Sequence, residues 1–239
     1  MRFSNPGAII ENTLREQMLK KYFSSYSGKG TLLDLGCGPR PYYSIYAPYF
    51  DKTIGADLAD SPFPKQQIDI YCSATAVPLD DASIDVILCT EVLHDIAEPS
   101  ELIDEAKRLL KPGGTLILTT PFVVPIVDGA YDHYRYTQQG LIYLLQKSAL
   151  EVKSITPVAD IFGATLTLIV KPILKFWNMV AKATGISILY KWYNPILFLT
   201  AILPQCIYLW TTDLPLFKSL YRKFNYGPIG YISIATKSK

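Results

Sequence analysis

The chain has 239 residues and a mass of 26.8 kDa, which is enough for one α/β domain with a full core and an appendage but cramped for two complete domains. Charged residues make up 18% of the chain and the mean hydropathy is +0.18, so apolar surface beyond one core is expected. The four cysteines form no CxxC pair and have no histidine at zinc-finger spacing, which excludes a disulfide framework and argues for reduced intracellular thiols and against a metal site.

Charge is unevenly distributed along the chain. Residues 1–160 include 14 basic and 20 acidic side chains, whereas residues 161–239 include nine basic side chains and one acid, Asp213. The first 23 residues have no apolar signal-peptide core and place Ile, Leu and Met at helical spacing, so a helix is expected there. The pattern favours an acidic part followed by a basic, apolar part.

Short β-rich runs alternate with helical patterns from Gly30 to about Pro157, which is typical of a parallel sheet with crossover helices. The predicted strands are 31–35, 53–57, 68–72, 84–89, 115–120 and 151–156. A helix is predicted over 99–114, with Ser100 as its N-cap and Pro-Gly-Gly as its stop signal. Thr137 is the predicted N-cap of the next helix.

In the motif LLDLGCGPRPYY, the first predicted strand is followed by a glycine- and proline-rich loop. Asp34 ends the strand, Gly36 and Gly38 allow tight turning and close backbone approach to a ligand, and Pro41 suits the first turn of a following helix. Asp57 ends the second strand, where a carboxylate commonly binds a ribose diol. The combination predicts a nucleoside-containing cofactor, and Pro41 disfavours NAD because it occupies the third glycine position of GxGxxG.

A loop of the form DxGxG resembles the first motif of class I S-adenosylmethionine-dependent methyltransferases. The stretches TIGADLA, YCSATAVPLDDASIDVILCTEVLHDI and EAKRLLKPGGTLILTTP follow it in the order and spacing of that family, and are most similar to its small-molecule branch of quinone and glycan-cluster methyltransferases. The resemblance covers about residues 30–157. It implies S-adenosyl-L-methionine as the cofactor and a Rossmann-like α/β fold, whose mostly parallel seven-stranded sheet has helices on both faces.

The resemblance also implies the cofactor-binding positions. They are Asp34, Gly36, Cys37 and Gly38 at the methionine part, Asp57 and Leu58 at the ribose and adenine, Ser73 and Ala74 at the adenine edge, and Thr90, Glu91 and Val92 at the floor of the site. Members of the family often have an acid at the position of Ser73 and a glycine at that of Arg40. The serine at position 73 would bind adenine more weakly than an acid does. The arginine at position 40 would place a cation near the cofactor carboxylate.

The acceptor site is predicted in the stretch YDHYRYTQQGL, which lies after the fifth strand. The candidate acceptor-binding residues are Tyr131, Asp132, Tyr134 and Arg135. His133, oriented by Asp132, and His94 are the candidate catalytic bases for a hydroxyl acceptor. In the alternative interpretation this stretch only caps a helix at Thr137 and packs Tyr134 and Tyr136 in the core.

Residues 161–224 precede a last predicted strand, 230–236, and are therefore predicted as a helical insertion. The methyltransferase core would comprise residues 1–160 and 225–239. Lysines on one helical face of the insertion (Lys171, Lys175 and Lys182, with Asn178) and apolar residues on the opposite face (Ile173, Phe176 and Val180) are typical of a helix on an anionic bilayer. A lid over the active site or a dimer interface is the alternative. Lysines interleaved with aliphatic residues disfavour nucleic acid.

The sequence thus predicts a cytoplasmic methyltransferase, peripheral or monotopic at the inner face of a membrane. Its acceptor would be a small or lipid-linked molecule of glycan, isoprenoid or quinone type. A membrane-associated protein that binds S-adenosylmethionine without catalysis is the alternative, motivated by Arg40 and Ser73. A nicotinamide-dependent oxidoreductase is a third hypothesis, weakened by Pro41.

Overall fold

The computed structural model describes residues 6–60, 67–126, 131–184, 198–224 and 226–239. The chain divides into two compact units. The helical unit comprises residues 1–17, 123–125 and 157–230, and the sheet unit comprises residues 18–122, 126–156 and 231–239. The segment predicted as an insertion therefore lies in the helical unit together with the N-terminal residues.

Seven strands form one sheet in the order β3-β2-β1-β4-β5-β7-β6. The strands are β1 (Thr31–Leu35), β2 (Lys52–Asp57), β3 (Ile70–Tyr71), β4 (Ile84–Thr90), β5 (Leu110–Pro121), β6 (Leu150–Val158) and β7 (Gly230–Lys237). The β3-β2-β1-β4-β5 part is parallel and one antiparallel pair lies at the end. This confirms the predicted Rossmann-like α/β class, although β3 is shorter than predicted.

The helices of the described residues follow the predicted alternation. They are α1 (Ile9–Ser24), α2 (Tyr43–Tyr46), α3 (Pro99–Leu109), α4 (Gln138–Lys147), α5 (Ile161–Thr184), α6 (Leu203–Thr212) and α7 (Pro215–Lys223), with a π-helical turn, Phe198–Ile202, before α6. The predicted N-cap of α4 is confirmed, because Oγ1 of Thr137 accepts a hydrogen bond from the N–H of Gly140 at 3.1 Å.

Helix α3 begins at Pro99 as predicted, but its predicted N-cap, Ser100, and its predicted C-terminal end are wrong. Its N-cap position is Glu98, which makes no side-chain cap, and the helix ends at Leu109. The Pro-Gly-Gly sequence lies inside β5, where Ile84 pairs with Leu110 but Val86 pairs with Thr115. The extra residues form a bulge, which the positive φ of Gly113 (+80°) permits.

The loop after β1 leads into one turn of helix. Pro41 precedes α2, whose N-cap position is Tyr42, so its predicted place in the first turn of the following helix is wrong. A 3₁₀ turn, Ala47–Tyr49, follows at once and contains Pro48, which has no N–H for a longer α-helical ladder.

The helical unit has an apolar core of its own, formed by Ile9, Ile10, Ala164, Ile202, Tyr208, Leu209 and Ile229. Asp160 caps α5, since its Oδ1 accepts hydrogen bonds from the N–H groups of Phe162 (3.0 Å) and Gly163 (3.1 Å). The same oxygen accepts the hydroxyl of Tyr208 at 3.0 Å. The N–H of Ile161 donates to the carbonyl of Phe224 at 3.4 Å, so the two ends of segment 161–224 meet.

Helix α5 is the segment predicted to lie on an anionic bilayer, and this role stays a prediction. It buries Ala164, Thr167 and Val170, while Lys175 and Phe176 are both exposed. The side chain of Lys182 lies outside the described residues. In the described part of the chain, no helix combines the length and the hydropathy needed to span a bilayer.

Candidate functional site

The carboxylate of Asp34 lies inside β1 and is only 2% exposed, because apolar neighbours of the central strands surround it. Its Oδ2 accepts a hydrogen bond from the hydroxyl of Tyr46 at 2.8 Å, and that hydroxyl accepts one from Nε of Arg40 at 3.0 Å. Burial raises the pKa of Asp34 to about 7, although Tyr46 and Arg40 both act to lower it. A further positive charge close to this carboxyl would therefore stabilise its ionised form.

Arg40 directs its guanidinium toward the segment before β3. Nη1 donates to Oδ2 of Asp69 at 3.1 Å and to the carbonyl of Gln67 at 3.4 Å, and the residue is 8% exposed. Its φ of +48° lies in the left-handed region that favours glycine, the residue common at this position in the family. The charge of Arg40 is thus partnered by Asp69, and Arg40 and Tyr46 form a network that the sequence motif does not indicate.

The glycine turn, Gly36 to Gly38, follows β1 and is hydrogen-bonded to the end of β2. The N–H groups of Gly36 and Cys37 both donate to the carbonyl of Ala56, at 2.8 Å and 3.0 Å. Gly36 has a φ of +67°, and a Cβ on it would lie 2.2 Å from Cγ2 of Val92, so a side chain does not fit. Burial raises the pKa of Cys37 to about 12, and this residue remains a thiol at neutral pH.

Asp57 is oriented by the same turn. Its Oδ2 accepts the N–H of Gly38 at 2.6 Å and its Oδ1 accepts the N–H of Leu58 at 2.7 Å. Each carboxylate oxygen retains a lone pair for another donor. A ligand with a vicinal diol suits this carboxylate, which sits at the carboxyl end of β2 as predicted.

The other predicted cofactor residues follow neighbouring strands. Ser73 is exposed, with its hydroxyl 2.9 Å from that of Thr75, and Ala74 is buried beside it. Thr90 ends β4, and Glu91 follows with a φ of +56°. These segments come after β3 and β4, which flank the β1–β2 pair in the sheet.

Thr119 in β5 holds Glu91 in place, and the sequence analysis missed it. Its hydroxyl donates to Oε1 of Glu91 at 2.8 Å, and its carbonyl accepts the N–H of Glu91 at 3.1 Å. Two threonines that end the apolar run LILTT were the signal for a polar contact at this edge of the sheet.

His94 is 7% exposed in the 3₁₀ turn Leu93–Asp95. Its Nε2 lies 3.2 Å from Oδ1 of Asp95, and its Nδ1 is buried without a hydrogen-bond partner in the part of the chain that the structure describes. The carbonyl of His94 accepts the N–H groups of His133 (2.9 Å) and Tyr134 (3.2 Å). The two segments predicted to hold catalytic histidines are therefore joined through their backbones.

Asp132 forms a two-contact ion pair with Arg135. Its Oδ2 accepts from Nη2 of Arg135 at 2.6 Å, its Oδ1 accepts from Nη1, and its side chain is 1% exposed. The bond to Asp132 is the main reason why the pKa of Arg135 is raised. The predicted role of Asp132 in orienting His133 stays a prediction, since the contacts described here join it to Arg135.

Tyr131, His133 and Tyr134 are exposed, and the hydroxyl of Tyr134 donates to the carbonyl of Ala97 at 2.8 Å. His94, Asp95 and Asp132 bring potential metal-ligand atoms within 4.8 Å of one another. Arg135 already supplies a positive charge to Asp132, which makes this group a poor cation site.

Comparison with known proteins shows which family this part of the chain resembles. Residues 33–118 match the family model described as a methyltransferase domain. Residues 33–118 are therefore similar to a methyltransferase domain. The residues matched in the methyltransferase domain include every predicted cofactor position and His94, whereas Tyr131 to Arg135 lie beyond them.

Curated methyltransferases match only part of the chain. Thiol S-methyltransferase TMT1B of Homo sapiens is 30% identical over 123 residues, which are 46% of this chain and 50% of that protein. Demethylmenaquinone methyltransferase of Clavibacter sepedonicus is 34% identical over 84 residues, which are 34% of each. The chain thus matches half or less of the length of these relatives.

A solved structure of geranyl diphosphate methyltransferase in complex with S-adenosylmethionine is similar to this chain in fold. Its TM-score is 0.56 at 12% identity, over 94% of this chain and 84% of that one. The match agrees with the observed sheet.

Proposed function

We propose that the protein transfers a methyl group from S-adenosylmethionine to a small-molecule acceptor. The observation that carries the proposal is the pair of carboxylates, Asp34 and Asp57, at the ends of adjacent strands joined by the glycine turn. The family match over 33–118 and the fold shared with a methyltransferase that binds S-adenosylmethionine support it.

The residues around the turn fit this cofactor. Asp57, held by the N–H groups of Gly38 and Leu58, offers acceptors for the ribose diol. Asp34 is a buried carboxyl whose ionised form gains from a nearby positive charge, and the cofactor is a cation. When bound, S-adenosylmethionine supplies a methyl group on a sulfonium. Thr90 and Glu91 would form the floor, with Glu91 positioned by Thr119.

The acceptor would bind where the His94 turn meets the 131–135 segment. Nδ1 of His94, which has no hydrogen-bond partner among the described residues, is the first candidate base for a hydroxyl or thiol acceptor, and the exposed His133 is the second. Tyr131, Tyr134 and Arg135 would contact the acceptor. Asp132 would act by holding Arg135 in position.

The finer part of the proposal concerns the acceptor and the place of action. We infer a lipid-linked acceptor of glycan, isoprenoid or quinone type, methylated at the cytoplasmic surface of a membrane. Exposed aromatic and aliphatic side chains in the helical unit, including Phe176 and Trp210, support a membrane-surface site. The similarity to a demethylmenaquinone methyltransferase supports a quinone acceptor.

Calorimetric titration with S-adenosylmethionine tests the cofactor assignment. The wild-type protein is expected to bind, and Asp57→Ala is expected to lose about tenfold or more in affinity, because a charge-assisted hydrogen bond to the diol is worth about 1.5–3 kcal/mol. Asp60→Ala, three residues further along, is the matched control and should bind like the wild type. Absence of binding by the wild type contradicts the proposal.

A non-catalytic protein that binds S-adenosylmethionine is a second candidate. It is favoured by Ser73, whose hydroxyl faces Thr75 where family members often have an acid. Formation of S-adenosylhomocysteine with any acceptor from a screen of thiols, quinones and lipid-linked sugars would exclude it.

A further inference from the structure

Helix α5 presents an apolar face to solvent. Phe162, Ile169, Phe176 and Met179 follow one another at helical spacing and are 44%, 53%, 54% and 60% exposed. At 1.5 Å per residue this stripe is about 26 Å long. Contiguous exposed apolar surface of this kind is uncommon on a soluble monomer and marks an interaction site.

A groove of about 510 Å³ lies at the N-terminal end of the stripe. It is lined by Ile161, Phe162, Thr165, Leu166, Ile169, Phe224 and Tyr226. This volume is in the range of small-molecule sites, and the lining is almost wholly hydrocarbon and aromatic. All of these residues belong to the helical unit.

The wall of the groove is held by specific contacts. Phe162 packs edge-on against Phe224 with ring centroids 5.2 Å apart, and Phe224 lies 6.2 Å from Tyr226. The first turn of α5 is fixed by the cap at Asp160, which also accepts the hydroxyl of Tyr208. Because the capped helix α5 and these packed rings form its wall, the groove is preorganised for a ligand.

Charge indicates what kind of apolar ligand fits. Segment 161–224 contains seven lysine and arginine residues and one acid, Asp213. Among the described side chains, Lys175 is exposed beside the stripe on α5, and Lys223 is exposed directly before Phe224 of the groove. Basic side chains around an apolar face favour an amphiphile with an anionic headgroup.

We propose that the groove binds one acyl chain of an anionic phospholipid, with the α5 stripe resting on the surrounding bilayer and Lys175 and Lys223 at the headgroups. This rests on the membrane part of the proposed function and adds to it a defined lipid site. Vesicle binding requires no cofactor, so the site can be tested whether or not the protein transfers methyl groups.

The first test is co-sedimentation of the full chain with vesicles of phosphatidylglycerol and phosphatidylcholine. The wild type is expected to bind these vesicles and to bind pure phosphatidylcholine at least about tenfold more weakly. Phe162→Asp with Ile169→Asp should reduce binding about tenfold or more, since each buried CH₂ adds to partitioning. Tyr143→Asp, at an exposed aromatic on α4, is the control and should bind like the wild type.

The second test locates the bound acyl chain of the lipid. Vesicles of phosphatidylglycerol that carry a photoreactive diazirine on one acyl chain should label residues 161–169 and 224–226, as read by mass spectrometry. Labelling elsewhere only, equal binding to uncharged vesicles, or self-association that blocks the groove without lipid would overturn the proposal.

Calorimetric binding of S-adenosylmethionine to the variant Phe162→Asp with Ile169→Asp shows whether that variant is folded. Lys175→Glu with Lys223→Glu serves as a second variant outside the groove wall and should also weaken binding.

Discussion

The buried carboxyl of Asp34 makes the stability of the protein depend on pH. Its pKa in the folded chain is about 7, against 3.8 in an exposed carboxyl, and desolvation is the main cause. The fold therefore favours the protonated form. The stability that Asp34 contributes is fully present below about pH 4 and is lost as the pH rises through 7.

We expect the free energy of unfolding of the wild type to fall between pH 5 and pH 8, relative to Asp34→Asn, by about 3 kcal/mol. Asparagine keeps a hydrogen-bond acceptor for Tyr46 but cannot ionise. Urea unfolding of both proteins at the two pH values measures the difference. Parallel pH profiles of the two proteins would show that Asp34 does not carry this dependence.

At the residue scale, spacing alone located Asp34, the glycine turn and Asp57, because a ligand loop at a strand end leaves a local signature. It could not locate Tyr46 or Arg40, which reach Asp34 across the loop. Their contacts depend on the single turn of α2, and although Pro48 limits the length of that helix, no pattern in the sequence indicates that Tyr46 and Arg40 contact Asp34. Likewise, the Asp132–Arg135 pair is local in sequence, but its approach to His94 requires β4 and β5 to be neighbours.

At the element scale, the turn after β4 and the loop after β5 act as one part of the site. The backbone bonds from His133 and Tyr134 to the carbonyl of His94 join them. Parallel order of β4 and β5 was predictable from the alternation of strands and helices. The helix–strand boundary at Leu110 was not, because Pro-Gly-Gly also suits a helix stop and only the bulge against Ile84 and Val86 decides it.

The two histidines of this joined segment should differ in their effect on catalysis. With a hydroxyl or thiol acceptor found by the turnover screen, His94→Asn is expected to lower kcat about 100-fold or more, since general-base catalysis contributes at least that much. His133→Asn should have a smaller effect, because its ring is exposed. Rates of S-adenosylhomocysteine formation measure both, with cofactor affinity by calorimetry as the control. A larger loss of kcat for His133→Asn would show that His133, and not His94, is the general base.

At the scale of the whole molecule, the two ends of segment 161–224 lie next to each other. The 3.4 Å bond between Ile161 and Phe224 brings its ends together. Its described residues also cover Ile9 and Ile10, which are 0% exposed and pack against Ala164 and Ile202. The N-terminal residues thus depend on the insertion for burial.

Replacing residues 161–224 by a short glycine linker should therefore yield a poorly soluble protein, because Ile9 and Ile10 lose their partners. Removing residues 1–17 as well should restore solubility and leave S-adenosylmethionine binding within about tenfold of the wild type. Soluble yield and calorimetry measure the two effects. A soluble single deletion would mean that α1 finds another partner.

The position of β7 between β5 and β6 has a consequence for synthesis of the chain. This strand is formed by Gly230–Lys237, more than seventy residues after β6. While the ribosome makes the insertion, β5 and β6 lack the strand that lies between them and expose unpaired edges. The sheet closes only when the last strand emerges, so a nascent chain stalled within the insertion would be prone to aggregation and a natural substrate for chaperones.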